Sequence, residues 1–160
     1  MSRGYFVFAQ GQEYIRFAYA LALSIKNTQK INSVCIAINE FDQIPLDYQH
    51  VFDHICFVKN VGLKYPMANE WQIWELTPYK ETIHVEADTI FTSNIDWWWD
   101  ELQQHELFFT SNVKDYRGHT AQSNFYRRHF EKKGLPKLYN GFYYFIFNSF
   151  TFYIPMPKIC

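Results

Sequence analysis

The chain lacks the glycine-rich loops of the common nucleotide-binding motifs and any apolar run long enough to cross a membrane. Its six glycines form neither the dinucleotide-binding fingerprint nor the phosphate-binding P-loop. This argues against an NAD-dependent enzyme and against an ordinary nucleoside triphosphatase. No stretch approaches the roughly 18 uncharged apolar residues of a transmembrane helix. The N-terminus leads into a strand-like run without a secretory apolar core, so no membrane segment is predicted.

Surplus charge and patterned cysteines are also missing. The net charge of −1 argues against electrostatic binding to nucleic acid or to an anionic membrane surface. Cys35, Cys56 and Cys160 show no metal-binding or redox spacing. The first two lie inside apolar runs, where buried free thiols are common. We therefore expect a reducing, cytoplasmic setting.

Apolar and aromatic residues, in contrast, are plentiful. Hydrophobic residues make up 48% of the 160 positions and aromatic residues 21%, which suffices for the core of one domain or of a piece of one. No internal repeat, low-complexity tract or linker divides the chain, so residues 1–160 are interpreted as a single domain. Trp97, Trp98 and Trp99 cannot all face one core. At least one of them is expected to be partly exposed.

The first forty residues alternate between strand and helix patterns. Residues 4–9 and 33–38 are apolar runs typical of buried strands, and residues 13–27 show helical periodicity. A crossover of this length implies parallel pairing of the two strands. The loop after the first strand, at Ala9 and Gln10, precedes a helix N-terminus, where such folds usually bind phosphate or a nucleotide. The predicted apolar stripe of the helix consists of Tyr14, Phe17, Ala18, Leu21, Ala22 and Ile25.

The rest of the chain continues with shorter elements. A strand within residues 80–91 is the most informative of them, because it ends in two carboxylates. Further strands are predicted at residues 55–58, 107–110 and 139–145, and helices at residues 47–53, 69–76, 95–102 and 121–133.

The two carboxylates are Glu86 and Asp88. Strand alternation places them on one face, at the carboxyl end of the strand. Ligands of open α/β sheets bind beyond this end of the strands. Hard divalent cations prefer oxygen ligands, and Mg²⁺ is usually held by one or two carboxylates together with substrate phosphates. The pair therefore indicates a Mn²⁺ or Mg²⁺ site, and the alternative is a solvated strand end at which Asp88 begins a turn.

The segments around this pair carry a resemblance to a known family. Residues 74–80 and 89–96 flank the carboxylates, and the whole run resembles family 8 glycosyltransferases of the glycogenin type. In those enzymes a W-x-L-T-x-Y-K segment leads into D-A-D-T and then N-I-D. The resemblance implies an α/β fold of the GT-A type, with a mostly parallel sheet flanked by helices. It also implies a D-x-D motif that binds Mn²⁺ on the diphosphate of a nucleotide-sugar donor. Here Glu86 replaces the first aspartate and is longer by one methylene.

The same resemblance extends to other positions. Tyr14 corresponds to a tyrosine that helps to hold the base, although it also fits a core-edge aromatic residue. Asn140 and Gly141 resemble the N-x-G strand that backs the metal site, although they also fit a turn before an aromatic strand. Glu70 stands where the family usually carries a basic residue that approaches the donor. His84 fits either a group supporting the metal site or a packed strand histidine. The predicted donor-binding residues are Ala9, Gln10, Tyr14, Glu86, Ala87, Asp88, Asn140 and Gly141.

The resemblance implies the transfer of a sugar from a nucleotide-diphosphate donor, UDP-linked in this family, to an unidentified acceptor. No general base or covalent nucleophile stands out. A further metal-binding histidine of the family lies downstream of the sequence given, so we expect the chain to correspond to the donor-binding half. Two alternatives remain, a nucleotide-sugar binding domain without turnover and a metal-dependent phosphate hydrolase. The hydrolase would need more acidic residues around the pair.

Overall fold

A computed structural model describes residues 2–59, 66–111, 113–114, 117–118, 134 and 138–147, and of Pro66, Met67, Ala68 and Asn140 only the backbone. Six strands form one sheet. Within the described part, no helix is both long and apolar enough to cross a bilayer. The elements are β1 (Arg3–Phe8), α1 (Gln12–Thr28), β2 (Val34–Asn39), α2 (Leu46–Gln49), β3 (His54–Val58), a 3₁₀ helix (Pro66–Gln72), α3 (Ile73–Leu76), β4 (Glu81–Glu86), α4 (Trp97–Leu102), β5 (Leu107–Thr110) and β6 (Tyr139–Ile146).

The sheet has the strand order β3-β2-β1-β4-β6-β5. The first four strands in that order pair in parallel, while β6 runs antiparallel to both β4 and β5. Helix α1 supplies the crossover between β1 and β2, so the predicted parallel β-α-β unit is confirmed. The prediction of a mostly parallel α/β sheet flanked by helices is confirmed as well.

Helix α1 packs through a stripe of small and aliphatic side chains. The predicted stripe was wrong in its two aromatic members, because Tyr14 is 52% and Phe17 is 41% exposed. Ile15 is fully buried instead. Successive helical residues are about 100° apart, so a helix that buries Ile15 turns Tyr14 away from the sheet. The interpretation of Tyr14 as a core-edge residue is therefore also wrong. The buried residues of α1 are Ile15, Ala18, Leu21, Ala22 and Ile25.

Both faces of the sheet carry a core, and β4 contributes to each by alternation. Ile83 and Val85 belong to the core on the α1 side. His84 lies on the other face, 2% exposed, with Nδ1 3.2 Å from the carbonyl oxygen of Phe6. Its ring packs against Tyr143 with a centroid separation of 4.7 Å. His84 is thus a packed and hydrogen-bonded strand histidine.

Two predicted helices differ from the observed ones. Helix α2 ends at Gln49 rather than near Asp53. Asp53 is instead bound to the start of β2, because its carboxylate accepts the N–H of Val34 at 2.7 Å. The segment before Thr77 is mainly 3₁₀ rather than α-helical. It ends there because Pro78 restricts the preceding residue to extended conformations, and Thr77 has φ −64° and ψ 130°.

Other predicted elements have mixed outcomes. The strand predicted at residues 107–110 is confirmed as β5. Trp97 is 61% exposed and Trp99 is fully buried, as expected for three consecutive tryptophans. The helix predicted over residues 121–133 lies outside the described residues.

A charged pair lies at the amino-terminal ends of β1 and β4. Arg3 Nε is 3.0 Å from Glu81 Oε2, and the two side chains are 21% and 3% exposed. The hydroxyl of Tyr144 donates to the same Glu81 oxygen at 3.3 Å. Arg3 also donates to Gln103 and lies over the ring of Trp99. This cluster holds the end of the sheet opposite to Glu86.

Candidate metal and donor site

Glu86 is the last residue of β4 and is only partly exposed. Its Oε2 accepts a hydrogen bond from the Tyr139 hydroxyl at 3.2 Å. The chain then turns at once, and the N–H of Thr89 donates to the carbonyl oxygen of Glu86 at 3.2 Å. Asp88 is exposed in this turn, and Ala87 is buried between the two carboxylates. The carboxyl end of β4 therefore carries two carboxylates, Glu86, which is held by Tyr139, and Asp88, which is exposed.

The electrostatics of Glu86 favour a cation. Burial raises the pKa of Glu86, and the charge of Asp88 raises it further, while the hydrogen bond from Tyr139 works in the opposite direction. Among the described residues, no lysine or arginine forms an ion pair with Glu86 or Asp88. A divalent cation would relieve the repulsion between the two carboxylates and stabilise both anions.

Gly141 leaves room for the Glu86 carboxylate. The antiparallel register pairs Val85 with Phe142, which brings Gly141 beside Glu86. A Cβ atom on Gly141 would lie 2.5 Å from Glu86 Oε2 and 2.6 Å from ring atoms of Tyr139. Only glycine therefore fits at this position without moving the carboxylate. Asn140 lies in the same strand, and its side chain is outside the described part.

Glu86 and Asp88 supply part of the ligand set that a hard cation needs. Two carboxylates match the protein ligands that Mg²⁺ or Mn²⁺ commonly uses when substrate phosphates complete the coordination. The charges of Glu86 and Asp88, which have no ion-pair partner among the described residues, fit such an ion. In the described ranges, no cluster of three or more histidine, cysteine or acidic side chains could hold a metal without further ligands.

The loop after β1 lies close to Glu86, because Phe8 pairs with Glu86 at the carboxyl ends of β1 and β4. Ala9 is buried, and Gln10 donates to Asn39 Oδ1 at 2.6 Å. The N–H of Gly11, whose φ is 92°, donates to Asp42 Oδ2 at 2.9 Å. Sequence reasoning missed Asn39 and Asp42. In the sequence, these residues stood out only by their position at the end of β2, and the carboxyl ends of parallel neighbours such as β1 and β2 lie side by side.

Tyr14 is exposed at the start of α1, and Glu70 lies close to Tyr143. Tyr14 is in the first turn of α1, where its ring faces solvent and contacts Phe17 edge-on at 6.1 Å between centroids. Glu70 lies near Tyr143, whose pKa is raised by burial and then by the Glu70 charge. Tyr14 lies on the exposed face of α1. The predicted residues that the structure brings together at the carboxyl ends of β1 and β4 are Ala9, Gln10, Glu86, Ala87, Asp88 and Gly141.

The N-I-D segment at residues 94–96 has a structural role. Asp96 accepts the N–H groups of Lys30 and Ile31 at 2.9 and 3.2 Å. Asn94 donates to the carbonyl oxygen of Thr28 at 3.0 Å, and Gln29 accepts the N–H of Ile95 at 2.8 Å. These bonds fix the segment after the turn at Asp88 to the C-terminal end of α1. The described contacts of residues 94–96 therefore attach this segment to α1.

Known proteins resemble the chain in structure and not in sequence. No protein-family model matches the sequence, and no curated protein matches it either. The glycosyltransferase GlyE of Streptococcus pneumoniae TIGR4 matches with a TM-score of 0.55 and 12% identity over 84% of this chain. The bifunctional glycosyltransferase WbbM matches with a TM-score of 0.59 and 14% identity over 92%. The fold is of the GT-A type. The chain spans 36% and 32% of those two proteins, about a third of their length.

Proposed function

We propose that this GT-A-type chain is the donor-binding part of a metal-dependent glycosyltransferase of the family 8 kind, which uses a UDP-linked sugar. The observation that carries the proposal is the Glu86 carboxylate. It lies in a space that only glycine at position 141 leaves open, beside Asp88 and without an ion-pair partner among the described residues. The glycosyltransferase neighbours support the same function at the level of the fold.

The site residues would act on the donor in distinct ways. Departure of the nucleotide diphosphate places negative charge on its phosphates, and a bound Mn²⁺ or Mg²⁺ supplies Lewis-acid stabilisation of that charge. Glu86 and Asp88 would hold the ion, and Tyr139 orients Glu86 through its hydroxyl. The loop at Ala9 and Gln10 would contact the donor at the same edge. Tyr14 would contact the base if the donor extends over the start of α1.

A donor-binding domain without turnover is the second candidate. Glu70 favours it, because the resembling enzymes carry a basic residue at this position and this chain carries an acidic one. Donor binding with metal but no transfer or hydrolysis of the sugar would distinguish it from the enzyme. The acceptor is unidentified in either case.

The first test is UDP binding by calorimetry, in Mn²⁺ and in EDTA, on the folded protein. We expect binding in Mn²⁺ and its loss in EDTA. Asp88→Asn should weaken binding by more than about 100-fold, since even removal of a residue that only orients a metal ligand typically costs 10–100-fold in affinity. Asp47→Asn is the matched control, because Asp47 is an exposed carboxylate on α2.

Two outcomes of this titration would contradict the metal site. One is equal affinity in Mn²⁺ and EDTA, and the other is an Asp88→Asn protein that binds as tightly as Asp47→Asn. If the metal site holds, incubation with UDP-sugars separates the two candidates. Release of UDP identifies an enzyme, whereas intact donor identifies a binding domain only when the acceptor is present.

Gly141→Ala is expected to disable the site without unfolding the protein. The new Cβ would lie 2.5 Å from Glu86 Oε2 and 2.6 Å from the Tyr139 ring, so both side chains must move. We expect the fold to be retained because only side-chain atoms are crowded. We expect Mn²⁺-dependent UDP binding to weaken by roughly 10–100-fold. Calorimetry measures the loss, and circular dichroism checks the fold.

The compensating variant is Gly141→Ala with Glu86→Asp. Aspartate is one methylene shorter and withdraws from the new Cβ, so the double variant should bind UDP better than Gly141→Ala alone. Tyr139→Phe removes the hydroxyl that donates to Glu86 and should weaken binding by about tenfold. If Glu86→Asp gives no recovery in the Gly141→Ala background, crowding of the carboxylate is not the cause of the loss.

A further inference from the structure

Two cysteines that are distant in sequence meet on one face of the sheet. Cys35 lies in β2 and Cys56 in the edge strand β3, where the register pairs Ala37 with Cys56. Since Cys35 and Ala37 are two residues apart, both cysteine side chains project from the same face. Their sulfur atoms are 3.6 Å apart. The thiols are free, as predicted from the sequence, and their separation along the chain gave no sign of this contact.

The two thiols differ in access and in acidity. Cys35 is fully buried, whereas Cys56 is partly exposed and its thiol donates to the carbonyl oxygen of Leu76 at 3.3 Å. The hydrogen bond from Cys35 lowers the pKa of Cys56 to about 7. The same contact, together with burial, raises the pKa of Cys35. Cys56 is therefore the less buried of the two residues and the one whose thiol ionises first, which makes it the reacting thiol of the pair.

We propose that Cys35 and Cys56 form a reactive dithiol that a hydroperoxide converts to an intramolecular disulfide. An S–S bond is about 2.0 Å long, so the two sulfurs have to approach each other by about 1.5 Å. Cys56 lies two residues beyond His54, the register partner of Cys35, so closure also requires the edge strand β3 to shift toward Cys35. The proposal is independent of sugar transfer.

The chemistry balances in two steps. The Cys56 thiolate attacks one oxygen of the hydroperoxide and the O–O bond breaks, which gives a sulfenic acid on Cys56 and an alkoxide or hydroxide that takes up a proton. Cys35 then loses its proton and attacks the Cys56 sulfur. The S–S bond forms, the S–O bond breaks and water leaves. The two thiols lose two electrons, and the peroxide gains them.

The disulfide would change the edge of the sheet. Bond formation cross-links β3 to β2 and removes the Cys56 thiol hydrogen from the Leu76 carbonyl, at the end of α3. Sequence spacing alone excluded a redox pair, because the contact arises only when the parallel strands are brought into register.

The test uses the whole chain with Cys160→Ser, so that only the two thiols remain. The protein is treated with one equivalent of hydrogen peroxide, unfolded, alkylated with N-ethylmaleimide and weighed by mass spectrometry. We expect both alkylations to be lost, a peptide pair joined through Cys35 and Cys56, and full recovery of both alkylations after dithiothreitol. A further Cys35→Ser change should stop the reaction at a sulfenic acid that dimedone traps on Cys56.

Retention of both alkylations after peroxide would overturn the proposal. So would a disulfide that forms equally fast in urea, where the folded contact is absent. Phenylarsine oxide gives a second measurement, since trivalent arsenic bridges two neighbouring thiols. A single adduct on the folded protein, absent after Cys35→Ser or Cys56→Ser, supports the pair, and persistence of the adduct in either variant contradicts it. If a serine variant fails to fold, the test rests on the Cys160→Ser protein alone. A peptide pair joined through Cys35 and Cys56 then supports the proposal, and its absence contradicts it.

Discussion

Arg3→Met is expected to lower the free energy of unfolding by about 3–5 kcal/mol, the usual effect of removing one partner from a buried ion pair. Glu81 is 3% exposed on its side chain, and among the described residues the Tyr144 hydroxyl is the side-chain partner that its Oε2 keeps after the change. The remaining carboxylate is then buried without a counter-charge, and methionine offers it no hydrogen bond. Urea denaturation followed by tryptophan fluorescence measures the loss, because Trp99 lies under the Arg3 guanidinium.

The matched control is Lys26→Met, which removes a more exposed pair. Lys26 Nζ and Asp53 Oδ2 are 2.6 Å apart, but their side chains are 25% and 40% exposed. Water screens this pair, so we expect a loss of at most about 1 kcal/mol. Equal losses for Arg3→Met and Lys26→Met would show that burial of Glu81 is not the cause.

A double variant separates the charge from the packing. Arg3→Met with Glu81→Leu replaces both partners by apolar groups, and such replacements of buried pairs are often neutral or stabilising. We expect it to be more stable than Arg3→Met alone. Arg3 and Glu81 are register partners at one end of β1 and β4, and Phe8 and Glu86 are partners at the other end. The ion pair thus joins the two strands in the register that places the loop at Ala9 beside Glu86.

The central part of the fold could be predicted from the sequence because its signals are local. Strands β1 and β2 are continuous apolar runs between polar segments, and such runs indicate strands that are buried on both faces. The bounds of α1 were predicted to within one residue, since Gly11 and the polar residues after Thr28 interrupt the pattern. The position of Glu86 followed from the same strand alternation.

Contacts between distant segments could not be predicted. The approach of Gly141 to Glu86 depends on the antiparallel register of β6, which no local pattern specifies. The contact between Cys35 and Cys56 depends in the same way on the register of β2 and β3. Tyr14 was misplaced because an aromatic residue at helical spacing fits a core stripe as well as an exposed position, and only the contact of α1 with the sheet selects Ile15.

The role of residues 94–96 shows a limit of motif reasoning. The N-I-D letters support a resemblance to a family, but they do not say which atoms the side chains bind. The structure shows that Asp96 is used by the backbone of Lys30 and Ile31. The motif letters therefore gave no sign that this segment is bound to the end of α1.

The protein is expected to lose about 3 kcal/mol of its free energy of unfolding through His84 as the pH falls from 6.5 to about 4. Burial lowers the pKa of His84 from 6.5 to about 4, while the hydrogen bond to Phe6 works in the other direction. Between these values the unfolded chain binds a proton at His84 and the folded chain does not. The unfolded state therefore gains stability as the pH falls, and the contribution of His84 is complete only above pH 6.5.

Glu86 acts in the opposite direction, so the test is a difference between two curves. The raised pKa of Glu86 means that the folded state takes up its proton first, which favours folding as the pH falls. We propose urea denaturation from pH 8 to about 4 in EDTA, for the wild type and for His84→Gln, which keeps an amide donor for the Phe6 carbonyl. The wild type should lose stability more steeply than His84→Gln, and Glu86→Gln should steepen the wild-type decline. Parallel curves for the wild type and His84→Gln would show that the buried imidazole does not control the acid stability of the sheet.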